Sequence, residues 1–367
     1  MQGLFSELIR VSIEQQENLS QVPTEREWVE LFNSAVKQAV AGVCFYGVQR
    51  LPKEQKTCLP VSLRMEWLAM AAQIQARNEL INRRCLELQQ MLAENGLKGC
   101  VLKGRGVADL YKVDYNSNLG IYRQCGDIDV WVDASREELV DYVMKVAPTR
   151  EFDQKHIHYH VFDDVDVEMH WIPVNRNSPR FNRILGAYFR KESSRQFSNR
   201  SGEVCYPTID FQLVHQLLHV YSHYVYEGVG LRQLMDLYFT QRRFMICMPE
   251  KVGEILSLFN RIGLMKFVAG TQYVVHLVFC MGKETLLCAP DAKEGQLLLK
   301  EIEIGGNFGQ FDKRNNVNNE SFVHKFWRRY ERRWRMVRFD PWGTILMPFS
   351  RIGLETWMRT VRRKYEG

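Results

Sequence analysis

No stretch of this 367-residue chain reaches the roughly 18 uncharged apolar residues that a membrane-spanning helix needs. The nearest approach, Val274 to Met281, is short and carries His276. Met1 to Asn18 lacks the basic, then apolar, then small-residue order of a secretory leader and reads instead as an amphipathic helix. A cytoplasmic protein without a transmembrane segment is therefore expected. Cys-x-x-Cys pairs are missing too. The nine cysteines, Cys44, Cys58, Cys85, Cys100, Cys125, Cys205, Cys247, Cys280 and Cys288, are odd in number and scattered, which argues against a disulfide framework or a structural zinc site. Most read as small buried apolar residues, and Cys125 as structural. No repeat of fixed period is evident.

Apolar residues are not scarce. They make up 46% of the chain against 25% charged, the composition of a folded protein. The length exceeds what one core usually organises, so more than one lobe is expected. Charge is uneven: residues 321–367 hold twelve Lys and Arg against four acids, a balance of +8, leaving −2 for the rest. Within that tail, Trp327-Arg328-Arg329-Tyr330 and Arg332-Arg333-Trp334-Arg335 interleave bases with aromatics, a composition suited to nucleic acid or an anionic surface.

Apolar spacing predicts helices from Leu4 to about Asn95, punctuated by Pro23, Pro52 and Pro60. The character changes at Gly96. Cys100-Val101-Leu102 reads as a short buried strand ended by Lys103-Gly104, Val107 to Tyr111 as a short helix, and Lys112 to Gly126 as a polar loop. Asp127 to Val132 reads as a strand, and Ser135 with Glu138 as the capping box of a helix to about Val146. His156–Phe162 and Val165–Trp171, joined by Asp163-Asp164, form a hairpin signal. Helical spacing returns over Phe211–Tyr226, Leu231–Arg243, Lys251–Phe259 and Lys266–Met281. Gly305 to Gly309 reads as a loop or linker, and the tail as helix interrupted at Pro341 and Pro348. The expected architecture is α+β: a helical lobe over 1–95, a small mixed-sheet core over 96–205, a helical cleft-closing lobe over 206–300, and a linker with basic tail over 301–367.

The chemistry centres on Gly126-Asp127-Ile128-Asp129-Val130. Strand residues two apart share a face, so both carboxylates can reach one cation while Ile128 and Val130 enter the core. Like charges held this close are costly unless cations compensate, and magnesium prefers such hard oxygen ligands. A second acidic strand, Val165-Asp166-Val167-Glu168-Met169-His170, offers Glu168 as a third carboxylate. Upstream, Lys103-Gly104 sits at a strand-to-helix turn where glycine admits a phosphate and Lys103 supplies positive charge.

The order Val-Leu-Lys-Gly, then Arg-x3-Asp-Ile-Asp-Val-Trp-Val, then Val-Glu-Met-His-Trp resembles the uncharacterised bacterial nucleotidyltransferases of the DNA polymerase β-like superfamily, over residues 96–240. His215, His219 and the run Leu231 to Leu237 are also similar to this family. The resemblance implies two Mg²⁺ ions, with Mn²⁺ as a substitute, held by Asp127, Asp129 and Glu168 as catalytic residues. It also implies a nucleoside triphosphate, ATP favoured, whose monophosphate passes to an unknown acceptor as pyrophosphate leaves. Lys103, Gly104, Arg123 and His219 are the candidate nucleotide contacts, and Asp236 a candidate acceptor-side base. Two departures concern the turn: Gly104 precedes Arg105 where the superfamily usually has Gly-Ser or Gly-Gly, and 22 residues separate Gly104 from Asp127. A protein-modifying enzyme of toxin–antitoxin type and a catalytically silent nucleotide- or RNA-binding protein are the other readings of this fold.

Several residues carry a plainer reading beside the functional one. Arg123 also reads as a loop arginine paired with a nearby acid. Arg232 and Asp236 are spaced for a pair within one helix. His156, His158 and His160 alternate on one strand and can pair across to Asp166, Glu168 and His170. His215, His219 and His223 share a helix face, but the span of two turns is too long for one metal ion.

Overall fold

The computed structural model describes residues 3–112, 118–176, 178–201, 203–314, 332, 334–337 and 340–366. It is 66% helix and 5% strand, an α+β protein in which a small mixed sheet is flanked by helices.

In chain order the elements begin with α1 (Leu4–Ser12), α2 (Glu25–Lys37), α3 (Ala41–Arg50) and the long α4 (Val61–Glu94). The sheet region follows with β1 (Gly99–Val101), α5 (Arg105–Ala108), β2 (Ile128–Val132), α6 (Arg136–Val146), β3 (His156–His158) and β4 (Val167–His170). Then come α7 (Pro179–Ser198), a two-strand ribbon of β5 (Arg200–Ser201) and β6 (Val204–Cys205), α8 (Ile209–Tyr226), α9 (Leu231–Cys247), α10 (Val252–Arg261), α11 (Met265–Phe279) and α12 (Ala292–Gly305). A last helix spans Pro341–Glu366. No helix among the described residues is long and apolar enough to cross a membrane.

Local signals set several boundaries. Thr24 caps α2 and Ser135 caps α6, each through a reciprocal capping box with the glutamate three residues on. Two helices lie outside the expected set. α7 starts at Pro179 behind the Ser178 cap, and α12 starts behind Asp291, whose side chain accepts from Lys293 and Glu294 N–H. The tail also differs from expectation. Pro341 opens its helix, and Pro348 lies inside it without ending it. Proline's fixed φ is itself helical, so the helix continues with one backbone N–H fewer. Trp327-Arg328-Arg329-Tyr330 and Arg333 lie outside the described residues, whereas Arg332 is buried and Trp334 exposed.

The chain forms two compact units, each discontinuous in sequence. One comprises residues 1–80, 107–125 and 216–319. Its core is helical, with Trp28 and Trp67 fully buried and the Trp67 indole donating to the Ala41 carbonyl at 2.8 Å.

The other unit comprises residues 81–106, 126–215 and 320–367 and holds the sheet, ordered β1-β2-β4-β3. β2 runs parallel to β4, while β1 and β3 flank them antiparallel. β2 is buried along its whole length. Ile128, Val130 and Val132 with Val167, Met169 and Ile157 make one apolar face, each at most 1% exposed. The opposite face carries Asp129 and Trp131 on β2, Glu168 and His170 on β4, and His156 and His158 on β3. Trp131 continues that face into an aromatic cluster with Phe189, Phe197 and Phe211.

Candidate active site

The sheet register assembles the site. Asp129 lies opposite Glu168 on the neighbouring parallel strand, and Glu168 lies opposite His158 on the strand beyond, giving one row of side chains across three strands. The next row is Trp131, His170 and His156.

Contacts link the rows. The His170 Nε2 sits 3.1 Å from Asp129 Oδ1 and 3.3 Å from Glu168 Oε2, bridging the two carboxylates. His156 Nδ1 lies 3.2 Å from Glu168 Oε2. Lys103, just beyond β1, places its Nζ 2.7 Å from Asp129 Oδ2. Asp127 lies immediately before β2, half-buried, and its charge bears on Lys103 together with those of Asp129 and Glu168. Gly104 turns the chain after Lys103 with φ +78°, a left-handed conformation that favours glycine, and open space flanks its α-carbon. The helix after that turn, α5, is only four residues long, so the anion-attracting helix end expected there has little dipole behind it.

A carboxylate as buried as Asp129, 1% exposed, is tolerated only when it is paired. Burial pushes the Asp129 carboxyl up, but the Lys103 ammonium and the His170 hydrogen bond outweigh it and hold it well below the usual range. Burial likewise raises Glu168, and Asp129 raises it further. The His170 hydrogen bond and the charges of His156 and His170 reverse both effects, bringing it to about 2. Burial lowers His170, yet its two carboxylate partners leave it raised. Burial, joined by the charge of His170, lowers His156 to about 4. His215, on α8 and 2% exposed, is lowered to about 3 by burial and by the nearby Lys103 charge. The cluster thus holds two ionised carboxylates, one ammonium and, at neutral pH, an uncharged His156 and His215.

These donors suit a cation. Ligand atoms of Asp129, Glu168 and His170 all fall within 4.8 Å of one another, as do those of His156, His158 and Glu168. Lys103 supplies the compensating positive charge.

Arg123, Asp236 and His219 belong to the helical unit. Arg123 and Asp236 face each other in a bidentate pair, Nε to Oδ1 at 2.6 Å and Nη2 to Oδ2 at 2.7 Å, with both side chains at most 5% exposed. The Tyr111 hydroxyl donates to the same Oδ1 at 2.6 Å, and Arg123 Nη1 contacts the buried Cys125 Sγ at 2.9 Å. Asn78 donates to the carbonyls of Ile121 and Arg123, fastening that turn to α4. The Arg232–Asp236 pair expected within α9 gives way to this one, and Arg232 donates to the Gln124 carbonyl. His219 Nε2 meets His223 Nε2 at 3.1 Å, and His223 Nδ1 meets Glu227 Oε2 at 2.8 Å. Tyr111 carried no signal of this role, and His215 carried one only through its likeness to the family. Tyr111 closed an apparent short helix, and His215 was one of three histidines on a single face.

A family model described as an uncharacterised nucleotidyltransferase matches residues 24–280. Neither the curated proteins nor the solved structures provide a match. The matched span holds Lys103, both aspartates of the Asp-x-Asp, Glu168 and His170, together with Arg123 and Asp236. The chain belongs to this family of nucleotidyltransferases.

Proposed function

We propose that the protein transfers a nucleoside monophosphate from a nucleoside triphosphate, ATP favoured, to an acceptor hydroxyl in a reaction that depends on Mg²⁺, with Mn²⁺ as a substitute. The acceptor oxygen forms a bond to the α-phosphorus, the bond to the β-phosphate bridge breaks, and pyrophosphate leaves. Asp127, Asp129 and Glu168 are the residues that would hold the divalent ions. When bound, such ions neutralise the triphosphate and lower the cost of deprotonating the acceptor hydroxyl. The observation that carries this reading is the register of Asp129 beside Glu168, two ionised carboxylates on adjacent strands bridged by one imidazole.

The surrounding residues have roles of their own. His170 fixes the orientation of both carboxylates, as an imidazole hydrogen-bonded to ligands commonly does. Lys103 offsets the repulsion between the acids by supplying positive charge, and its place beside the open Gly104 turn supports contact with a phosphate oxygen. Arg123 and Asp236, which saturate each other's forks, are better suited to holding the segment that enters β2 than to touching nucleotide or acceptor. His219 remains a nucleotide contact of this proposal only through the family resemblance.

Incubating the chain with α-labelled triphosphate and Mg²⁺ tests the reading. Pyrophosphate release that is lost in Asp127→Asn supports it, and label carried on the protein itself would identify a protein acceptor. A triphosphate left intact across all four bases and a panel of small hydroxyl, RNA and protein acceptors would count against it.

A further inference from the structure

Beside the acidic pair, the same sheet face holds a second donor set that shares only Glu168 with the residues proposed for transfer. His156 and His158 sit two apart on β3, so both imidazoles project to the face that carries Glu168. His158 lies directly opposite Glu168 in the antiparallel register, and His156 Nδ1 is 3.2 Å from Glu168 Oε2. The three ligand atoms lie within 4.8 Å of one another.

Two observations separate this set from a plain cross-strand pair. The His156 side chain is 10% exposed, and its Nδ1 has no partner in hydrogen-bond geometry although it faces the carboxylate. A buried polar atom in that state has hydrogen-bonding or ligating capacity that the protein itself leaves unused. His158, in contrast, is 28% exposed, which leaves the set open to solvent on one side. Bonds of about 2.0–2.1 Å in a tetrahedral arrangement place donors roughly 3.4 Å apart. A small contraction of the set reaches that spacing.

We propose that His156, His158 and Glu168 form a transition-metal site that takes a zinc-class dication. Imidazole nitrogen suits zinc, whereas magnesium seeks oxygen, so the two nitrogens set the preference. Two imidazoles and one carboxylate leave a coordination position for water or a ligand. The site shares Glu168 with the nucleotidyl-transfer reading, whereas Asp127 and Asp129 contribute nothing to it.

The test uses the full chain, stripped of metal by dialysis against chelator and titrated with zinc chloride calorimetrically. Cobalt(II) serves as a visible-absorption probe. Zinc is expected to bind, and millimolar Mg²⁺ is expected not to displace it. His158→Gln and His156→Gln should each weaken it by tenfold or more and remove the cobalt band. Asp127→Asn should change zinc affinity less than twofold. Circular dichroism of the metal-free variants checks that both glutamine forms fold, and the half-buried His158 is the more accessible of the two positions. Zinc affinity equal in wild type and His158→Gln would overturn the proposal, and so would equal loss in Asp127→Asn. Loss of Mg²⁺-dependent triphosphate binding in Asp127→Asn, with zinc binding intact, would leave this site standing whatever becomes of the transfer reaction.

Discussion

At the scale of single residues, charge and burial settle what each acid does. Asp236 is committed to Arg123 and Tyr111 in a setting with almost no solvent. Removing one charge of such a pair strands the other, at a cost of about 3–5 kcal/mol. Asp236→Asn is therefore expected to lower unfolding free energy by that order in urea titration, and a loss below about 1 kcal/mol would show that the pair is not buried as described. His215 gives a pH signature. Its folded pKa of about 3 lies below the ordinary value of 6.5, so the unfolded chain takes up its proton first and stability falls as pH drops through that window. At pH 5 this group alone should cost about 2 kcal/mol relative to pH 7.5. His215→Gln should flatten the slope by that amount, and an unchanged slope would contradict the assignment. Glu168, lowered to about 2, works in the opposite sense to an ordinary basic partner. Its contribution is present above about pH 4.5 and lost only as pH falls toward 2.

At the scale of elements, the motif strands were legible because their signals are local. Alternation in Asp127 to Val132, the Ser135–Glu138 box and the aromatic hairpin each depend on neighbours a few residues apart. The hairpin strands proved shorter than their sequence pattern, since only His156–His158 and Val167–His170 keep ladder pairing. α7 was not legible. Phe181, Leu185 and Phe189 do recur at four-residue spacing, but basic and polar side chains fill the rest of the segment and dilute that stripe. The β1–β2 neighbourhood was likewise hidden, because 26 residues separate Val101 from Ile128 in sequence. The segment leading to β2 makes one further expectation. A Cβ on Gly120 would lie 2.1 Å from the Ala108 carbonyl oxygen, backbone that cannot move aside cheaply. Gly120→Ala should lower the melting temperature by several degrees, whereas Gly253→Ala, with open space around it, should not.

At the scale of the whole molecule, the family match spans residues 24–280 and so runs through both compact units. The class of chemistry was legible in the carboxylate motifs. The pairing of His156 with Glu168 was legible in the alternating histidines of the hairpin, whereas the bridge from His170 to Asp129 and the burial of His215 arise from register and packing, which no spacing rule exposes. The pairing of Arg123 with Asp236 joins positions 113 residues apart. The central claim concerns the acids rather than the helices around them, and calorimetric titration with ATP, with and without Mg²⁺, tests it most directly. Wild-type chain should bind at least tenfold more tightly with Mg²⁺ than in chelator, and the Asp127→Asn, Asp129→Asn double variant should show no such difference. Equal affinity in chelator and in Mg²⁺, or a metal effect that persists in the double variant, would contradict the account.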